Sequence, residues 1–148
     1  MVFRTAYRIT GNAADAEDVL QTVFLRLLRR DHPPVMDSQE SYLRRAAVNA
    51  SLDVMRAGRN TRNVSIDGLD LPSAKEPETQ ELRRELRKAL ARLQPREAEV
   101  FALRFFEDRS NQEIAQMLGI SQVHVAVILH RTRKQLQNEI RSYLGDRR

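Results

Sequence analysis

SNQEIAQMLGISQVHVAVILHRTRK, residues 110–134, reads as two short helices around a tight turn. Ser110 is placed to cap the first helix. Glu113, three residues on, is placed to return a carboxylate to the cap, which makes a capping box. Ile114, Ala115 and Leu118 give that helix one apolar face. Gly119 follows the last apolar position, where helices commonly end in a left-handed residue, and Ile120 plugs the turn. Ser121 is expected to cap a second helix whose Val123, Val125, Val127, Ile128 and Leu129 supply its buried side. Helix, glycine turn and helix together form the helix-turn-helix pattern, with a second helix shaped for the major groove of DNA. The same pattern also suits an ordinary helical hairpin in a bundle core, so the flanks have to decide.

Composition narrows the classes. The 148 residues are 30% charged and 41% hydrophobic, which suits a soluble chain of one or two small domains. There is no cysteine, hence no disulfide frame, thiolate metal site or cysteine nucleophile. No apolar run approaches a membrane span and no signal peptide opens the chain, so a cytoplasmic location without membrane insertion is expected. The net charge of +5 and sequence pI of about 10.2 favour a polyanionic partner. Charge is unevenly spread: residues 1–60 carry 9 basic and 7 acidic side chains, 61–80 carry 2 and 4, and 81–148 carry 14 and 9. Two basic blocks therefore flank an acidic connector.

Along the chain, residues 1–10 look helical, with Val2, Phe3, Ala6, Tyr7 and Ile9 on a broad apolar side. Gly11-Asn12 breaks that helix, and Asn12 is a suitable cap for the next, reaching to about Arg30. Asp15, Glu17 and Asp18 suit the positive end of its dipole. Val19, Leu20, Val23, Phe24, Leu27 and Leu28 recur as an amphipathic stripe. Asp31-His32-Pro33-Pro34 is a stop, and Asp37 with Glu40 offers another capping box. The helix at 38–59 carries Leu43, Ala46, Ala47, Ala50, Val54 and Met55 on one side. Its other side carries Arg44, Arg45, Asn49, Arg56 and Arg59. Residues 58–79 lack periodicity and read as an exposed, flexible linker. Thr79 is expected to cap a helix at 80–93, and Pro95 to open another reaching Phe106. The last helix is expected to end before Gly145. With aromatics at only 5%, the cores must rest on Leu, Val, Ile and Ala. The fold class is all-α: a domain at 1–59, a linker at 60–79, and a domain at 80–148 containing the helix-turn-helix.

Three blocks settle a family resemblance: DAEDVLQTVFLRL at 15–27, YLRRAAVNASLDVMR at 42–56, and LARLQPREAEVFALRFFEDRSNQEIAQMLGIS at 90–121. In this order and spacing they resemble the short, two-domain sigma factors of bacterial RNA polymerase, the extracytoplasmic-function group. The resemblance covers nearly the whole chain. It implies a first domain that binds the clamp helices of the polymerase's largest subunit and captures the melted downstream promoter element. It implies a second domain that reads the upstream element and touches the polymerase flap. Core RNA polymerase, promoter DNA and an anti-sigma factor are the partners it implies. No cofactor, metal or catalytic residue is expected.

Residue by residue, Asp18 and Gln21 match the family's clamp-facing positions, although Thr22 stands where an acid is common. Tyr42, Arg44, Arg45, Asn49, Arg56 and Arg59 match the strand-handling segment, where cations meet phosphates and flat side chains meet unstacked bases. The loop at 30–39 corresponds to the pocket for a flipped base. Ser121, Gln122 and His124 open the recognition helix, with Gln122 suited to adenine. His130, Arg131, Arg133 and Lys134 follow, and Arg109 with Asn111 lie near the first helix.

Two departures stand out. The family usually has Gly-Thr-Val and then polar or basic residues where this chain has Val123, His124, Val125, Ala126, Val127 and Ile128. Upstream readout is thus weaker, or uses thymine methyls, or gives way to an apolar protein partner. Family members also have further residues before the match to Val2-Phe3-Arg4, so Met1 falls inside the first helix and a truncated or misassigned start is expected. Two other functions fit parts of the pattern: a sigma-like adaptor held by an anti-sigma partner, and a helix-turn-helix regulator that does not act through core polymerase. An enzyme fits poorly, because His32, His124 and His130 lack metal-ligand spacing and no phosphate-binding glycine loop is present.

Overall fold

A computed structural model describes residues 1–29, 39–58 and 77–146. The expected proline stop, the Asp37 cap, Arg59 and most of the expected linker lie outside the described residues. Within them the chain is all-α, with seven helices and no strand: α1 (Val2–Thr10), α2 (Ala13–Leu28), α3 (Gln39–Gly58), α4 (Pro77–Arg92), α5 (Pro95–Phe105), α6 (Asn111–Leu118) and α7 (Gln122–Asp146).

Local chemistry sets most of the boundaries. α1 ends at Gly11, whose φ of 69° lies in the left-handed region that glycine enters without strain. Asn12 then caps α2 by accepting from the Asp15 N–H at 3.0 Å. Pro95 opens α5, where its missing N–H leaves no bond unmade. Ser110 Oγ accepts from the Glu113 N–H at 3.0 Å, and Glu113 Oε1 accepts from the Ser110 N–H at 2.9 Å. Gly119, with φ of 68°, closes α6.

Other ends depart from expectation. α2 stops at Leu28 rather than near Arg30. α4 opens at Pro77, so Thr79 lies inside the helix instead of capping it. α7 runs through Gly145 to Asp146, since one interior glycine costs only about 1 kcal/mol.

The helices enclose two apolar clusters. The smaller lies among α1, α2 and α3 and holds Ala6, Ala16, Val19, Val23 and Ala50, with Leu27, Leu43, Ala46 and Val54 at its margin. The larger lies under α4–α7, with Leu90, Leu93, Val100, Leu103, Ile114, Val125, Ile128 and Leu136. It also includes Ile9 of α1 and Val48 and Leu52 of α3. α3 is therefore apolar on two sides. Its 43/46/50/54 stripe meets α1 and α2, and its 48/52/55 stripe meets the second half of the chain.

Several apolar residues assigned to core faces lie outside the core. In α7, Val125, Ile128, Leu129 and Leu136 are buried, whereas Val123 is 73% exposed and Val127 40%. The helical period explains this: 125, 128, 129 and 136 share one face, and 123 and 127 lie off it. In α2 the buried stripe is Ala16, Val19 and Val23, while Phe24 and Leu28 face outward. In α1 Phe3 and Tyr7 are exposed and stack on each other at 6.2 Å.

The capping box has a measurable signature. The Ser110 backbone N–H, and after it the Ser110 hydroxyl, hold the Glu113 carboxyl below its ordinary value. A depressed carboxyl contributes stability above its unfolded pKa, near 4.3, and loses it as pH falls through the folded value. Ser110→Ala is expected to cost about 1 kcal/mol in urea unfolding at pH 7. Glu113→Gln should destabilise the chain at pH 7 and by less below about pH 4, because the Glu113 carboxylate is the member of the box that titrates.

Candidate nucleic-acid interfaces

The helix-turn-helix is assembled as its caps dictate. Both the Gly119 and Ile120 N–H groups point to the Ala115 carbonyl, which turns the chain sharply into α7. Ser121 Oγ accepts from the His124 N–H at 3.0 Å, so Ser121 is engaged as the cap of α7. Gln122, His124, His130, Arg131, Arg133 and Lys134 are all exposed on that helix, interleaved with Val123, Ala126 and Val127. Arg133 also leans over the Phe105 ring, its guanidinium carbon 5.2 Å from the centroid. α7 thus exposes an apolar patch at Val123, Ala126 and Val127, followed along the helix by the exposed cations Arg131, Arg133 and Lys134. Arg109 sits to one side, donating to the Glu107 carbonyl at 2.9 Å and lying 3.5 Å from Glu113. Asn111 is half-buried, and its Oδ1 has no hydrogen-bond partner.

The cations of α3 are placed very differently. Sequence periodicity puts them on an outer face, but that face meets α5 and the turn after it. Arg44 Nη1 donates to Glu107 Oε1, and Arg44 Nη2 to Glu40 at 2.7 Å. Arg8 adds Nε and Nη2 bonds to Glu107 Oε2 at 3.0 and 2.7 Å, and the Thr5 hydroxyl donates to Oε1 at 2.6 Å. The Glu107 side chain is 0% exposed and that of Arg44 11%. The next residue of α3, Arg45, donates Nε and Nη2 to the two oxygens of Glu99 at 2.7 and 3.3 Å. Asn49 Nδ2 donates to Glu99 at 2.9 Å. Arg56 reaches the Ala91 carbonyl at 3.4 Å and lies 3.5 Å from Asp53. Tyr42 is half-buried at the start of the same helix.

Electrostatics follow this geometry. Burial disfavours the Arg44 cation, but bonds and charges from Glu40 and Glu107 outweigh it and raise its pKa. The Arg44 hydrogen bond, and then its charge, hold the exposed Glu40 carboxyl below its ordinary value.

The α2 strip is open. Asp18 and Gln21 are exposed, and Leu25 and Leu28 continue the same line at helical spacing with Phe24 beside them. Leu28 is 74% exposed. The result is an acidic and amide-bearing start followed by an apolar end.

Sequence reading missed Arg8, Glu99, Glu107 and the outward Phe24–Leu25–Leu28 edge. One signal was present for Glu99, a lone carboxylate in the apolar run AEVFAL of α5, where an acid needs a buried partner. Nothing local marked Glu107, since its partners lie 63 to 102 residues away. Among the described residues no helix is long and apolar enough to cross a membrane, and no acid–histidine group is arranged to hold a metal.

Comparison with known proteins matches both halves of the chain. The family model for sigma-70 region 2 covers residues 1–61, and that for sigma-70 region 4 covers residues 83–136. The chain is 32% identical over 152 residues to the ECF RNA polymerase sigma factor SigE of Mycolicibacterium smegmatis, covering 98% of this chain and 59% of that protein. It is 31% identical over 144 residues to the RNA polymerase sigma-E factor of Streptomyces avermitilis, covering 95% of this chain and 79% of that one. The fold is also that of the Bartonella quintana sigma factor RpoE, solved with the anti-sigma factor NepR, at a TM-score of 0.56 and 19% identity over 95% of this chain and 89% of that one. The chain belongs to the sigma-70 family, among its extracytoplasmic-function sigma factors.

Proposed function

We propose that this chain associates with core RNA polymerase, directs it to promoters and assists strand opening, and itself contributes no bond-making chemistry. The observation that carries the reading is the pairing of a second helix in a helix-turn-helix that exposes Arg131, Arg133 and Lys134 with a separate helix, α3, that concentrates Arg44, Arg45, Asn49 and Arg56. In this reading residues 1–59 and 80–148 are separable domains working in the cytoplasm. An anti-sigma factor is the natural antagonist.

Asp18 and Gln21 would meet basic side chains of the polymerase clamp, and the outward Phe24, Leu25 and Leu28 would add apolar area beside them. Charge complementarity would then set orientation while apolar burial supplies affinity. Arg44, Arg45 and Asn49, with Tyr42, Arg56 and Arg59, would handle the melted strand. Gln122 and His124 would reach base edges, and His130, Arg131, Arg133 and Lys134 the phosphates. Arg109 and Asn111 would steady the backbone beside α6, with Ser121 fixing the helix start. Val123 and Val127, turned outward, fit thymine methyl groups in the groove.

A sigma-like adaptor is the second reading, and the same exposed Val123 favours it, since an apolar helix face also suits a protein partner. Promoter-dependent transcription by core enzyme plus this chain separates the two, because an adaptor starts no transcripts.

Three outcomes are expected. Arg44→Ala with Arg45→Ala should lower open-complex formation about tenfold with core binding retained. It should also reduce the salt slope of strand binding by about 0.7 for each phosphate that is no longer neutralised. Leu28→Asp should weaken association with core enzyme at least tenfold, measured by fluorescence anisotropy. Third, duplexes selected by the holoenzyme and resynthesised with deoxyuridine for thymidine should bind about fourfold more weakly for each methyl that Val123 or Val127 covers. That penalty should vanish in Val123→Ala with Val127→Ala.

A further inference from the structure

Glu99 and Glu107 have no part in the functions assigned above. Yet each sits deep in the contact between α5 with its following turn and the α1–α3 face. Each takes up donors proposed for promoter DNA: Arg45 and Asn49 for Glu99, and Arg44 for Glu107. Both carboxylates meet arginine side-on or by a shared oxygen, which is also how a guanidinium grips a phosphate. The two halves of the chain are both net basic, so at long range they repel. Local acids at the seam are what let like-charged halves close.

Apolar surface completes the seam, with Ile9, Val48 and Leu52 running into the Leu90, Leu93 and Leu103 cluster. Arg87 reaches across to the Ile9 carbonyl at 3.1 Å, beside Gly11. A Cβ at Gly11 would displace the Arg87 guanidinium, and the left-handed φ of 69° is what favours glycine there.

We propose that this closed arrangement is a self-inhibited state of the free factor, in which Glu99 and Glu107 act as built-in phosphate mimics that occupy the strand-binding face of α3. It rests on the assignment of Arg44, Arg45 and Asn49 to the melted strand. Strand binding and closure then compete for the same donors. A single-stranded oligonucleotide must open the chain, and opening must raise affinity for the oligonucleotide by the same factor.

The full-length chain allows a direct test, because it has no cysteine of its own. Spin labels at Glu17→Cys and Gln137→Cys, exposed on α2 and α7, report the distance between the halves by pulsed electron resonance. A fluorescent single-stranded oligonucleotide of random sequence, without polymerase, reports strand binding. The expected result is one short distance in the parent chain, and a longer, broader one in Glu99→Gln with Glu107→Gln together with at least tenfold tighter oligonucleotide binding. Adding saturating oligonucleotide to the parent chain should produce the same lengthening, a readout that does not depend on the variant folding well. A parent chain already broad, or one that binds the oligonucleotide without lengthening, overturns the proposal. Opening in the double variant with no gain in strand binding overturns it through the other premise: the halves close, but α3 is not the strand-binding face.

Discussion

A carboxylate without access to water organises the junction of this molecule. Glu107 receives a hydroxyl from Thr5 and guanidinium groups from Arg8 and Arg44, so helices α1 and α3 converge on one side chain of a turn. A buried charge is costly unless it is paired and hydrogen-bonded, and Glu107 has donors on both oxygens. Buried ion pairs are often no more stabilising than apolar residues of the same shape, while removal of one partner is severe. Such a group contributes less as glue than as a constraint on which surfaces meet and in what register.

The turn that presents Glu107 is itself shaped for the task. Asp108 has a φ of 53°, and it is the one non-glycine residue with positive φ among the described residues. Aspartate tolerates that left-handed conformation better than most residues. The kink turns Glu107 inward while Arg109 folds back onto its carbonyl and toward Glu113 of the capping box. One short connection therefore adds hydrogen bonds between the junction with α3 and the start of the helix-turn-helix, alongside the apolar cluster that Val48 and Leu52 share with Ile114.

α3 gives the junction its consequence for function. Sequence periodicity divides it into an apolar stripe and a basic stripe, and in isolation the basic one would face water. In the folded chain Val48 and Leu52 lie within the basic stripe and give the second half something to pack on. Arg44, and in part Arg45 and Asn49, are thereby covered. α7 shows the contrary case. Its cations stay exposed because Val125, Ile128 and Leu136 on the opposite face satisfy the core, and nothing among the described residues covers Val123.

Much was legible in the sequence because it depends on neighbours a few residues apart. The Asn12 cap, the Ser110–Glu113 box, the Gly11 and Gly119 stops and Pro95 at a helix start are all decided within one turn of chain. So are the all-α class and the three blocks that carry the family. What sequence alone left undecided involves pairs far apart along the chain. Val123, Phe24 and Leu28 are apolar yet exposed, because a helix buries only the arc that a neighbour touches, and the touching arc depends on where that neighbour lies. Arg44 and Arg45 look like solvent cations until Glu107 and Glu99, more than 50 residues on, arrive beside them. Local hydrogen bonds and steric limits set the helices, and only tertiary packing decided which of their charges remain free.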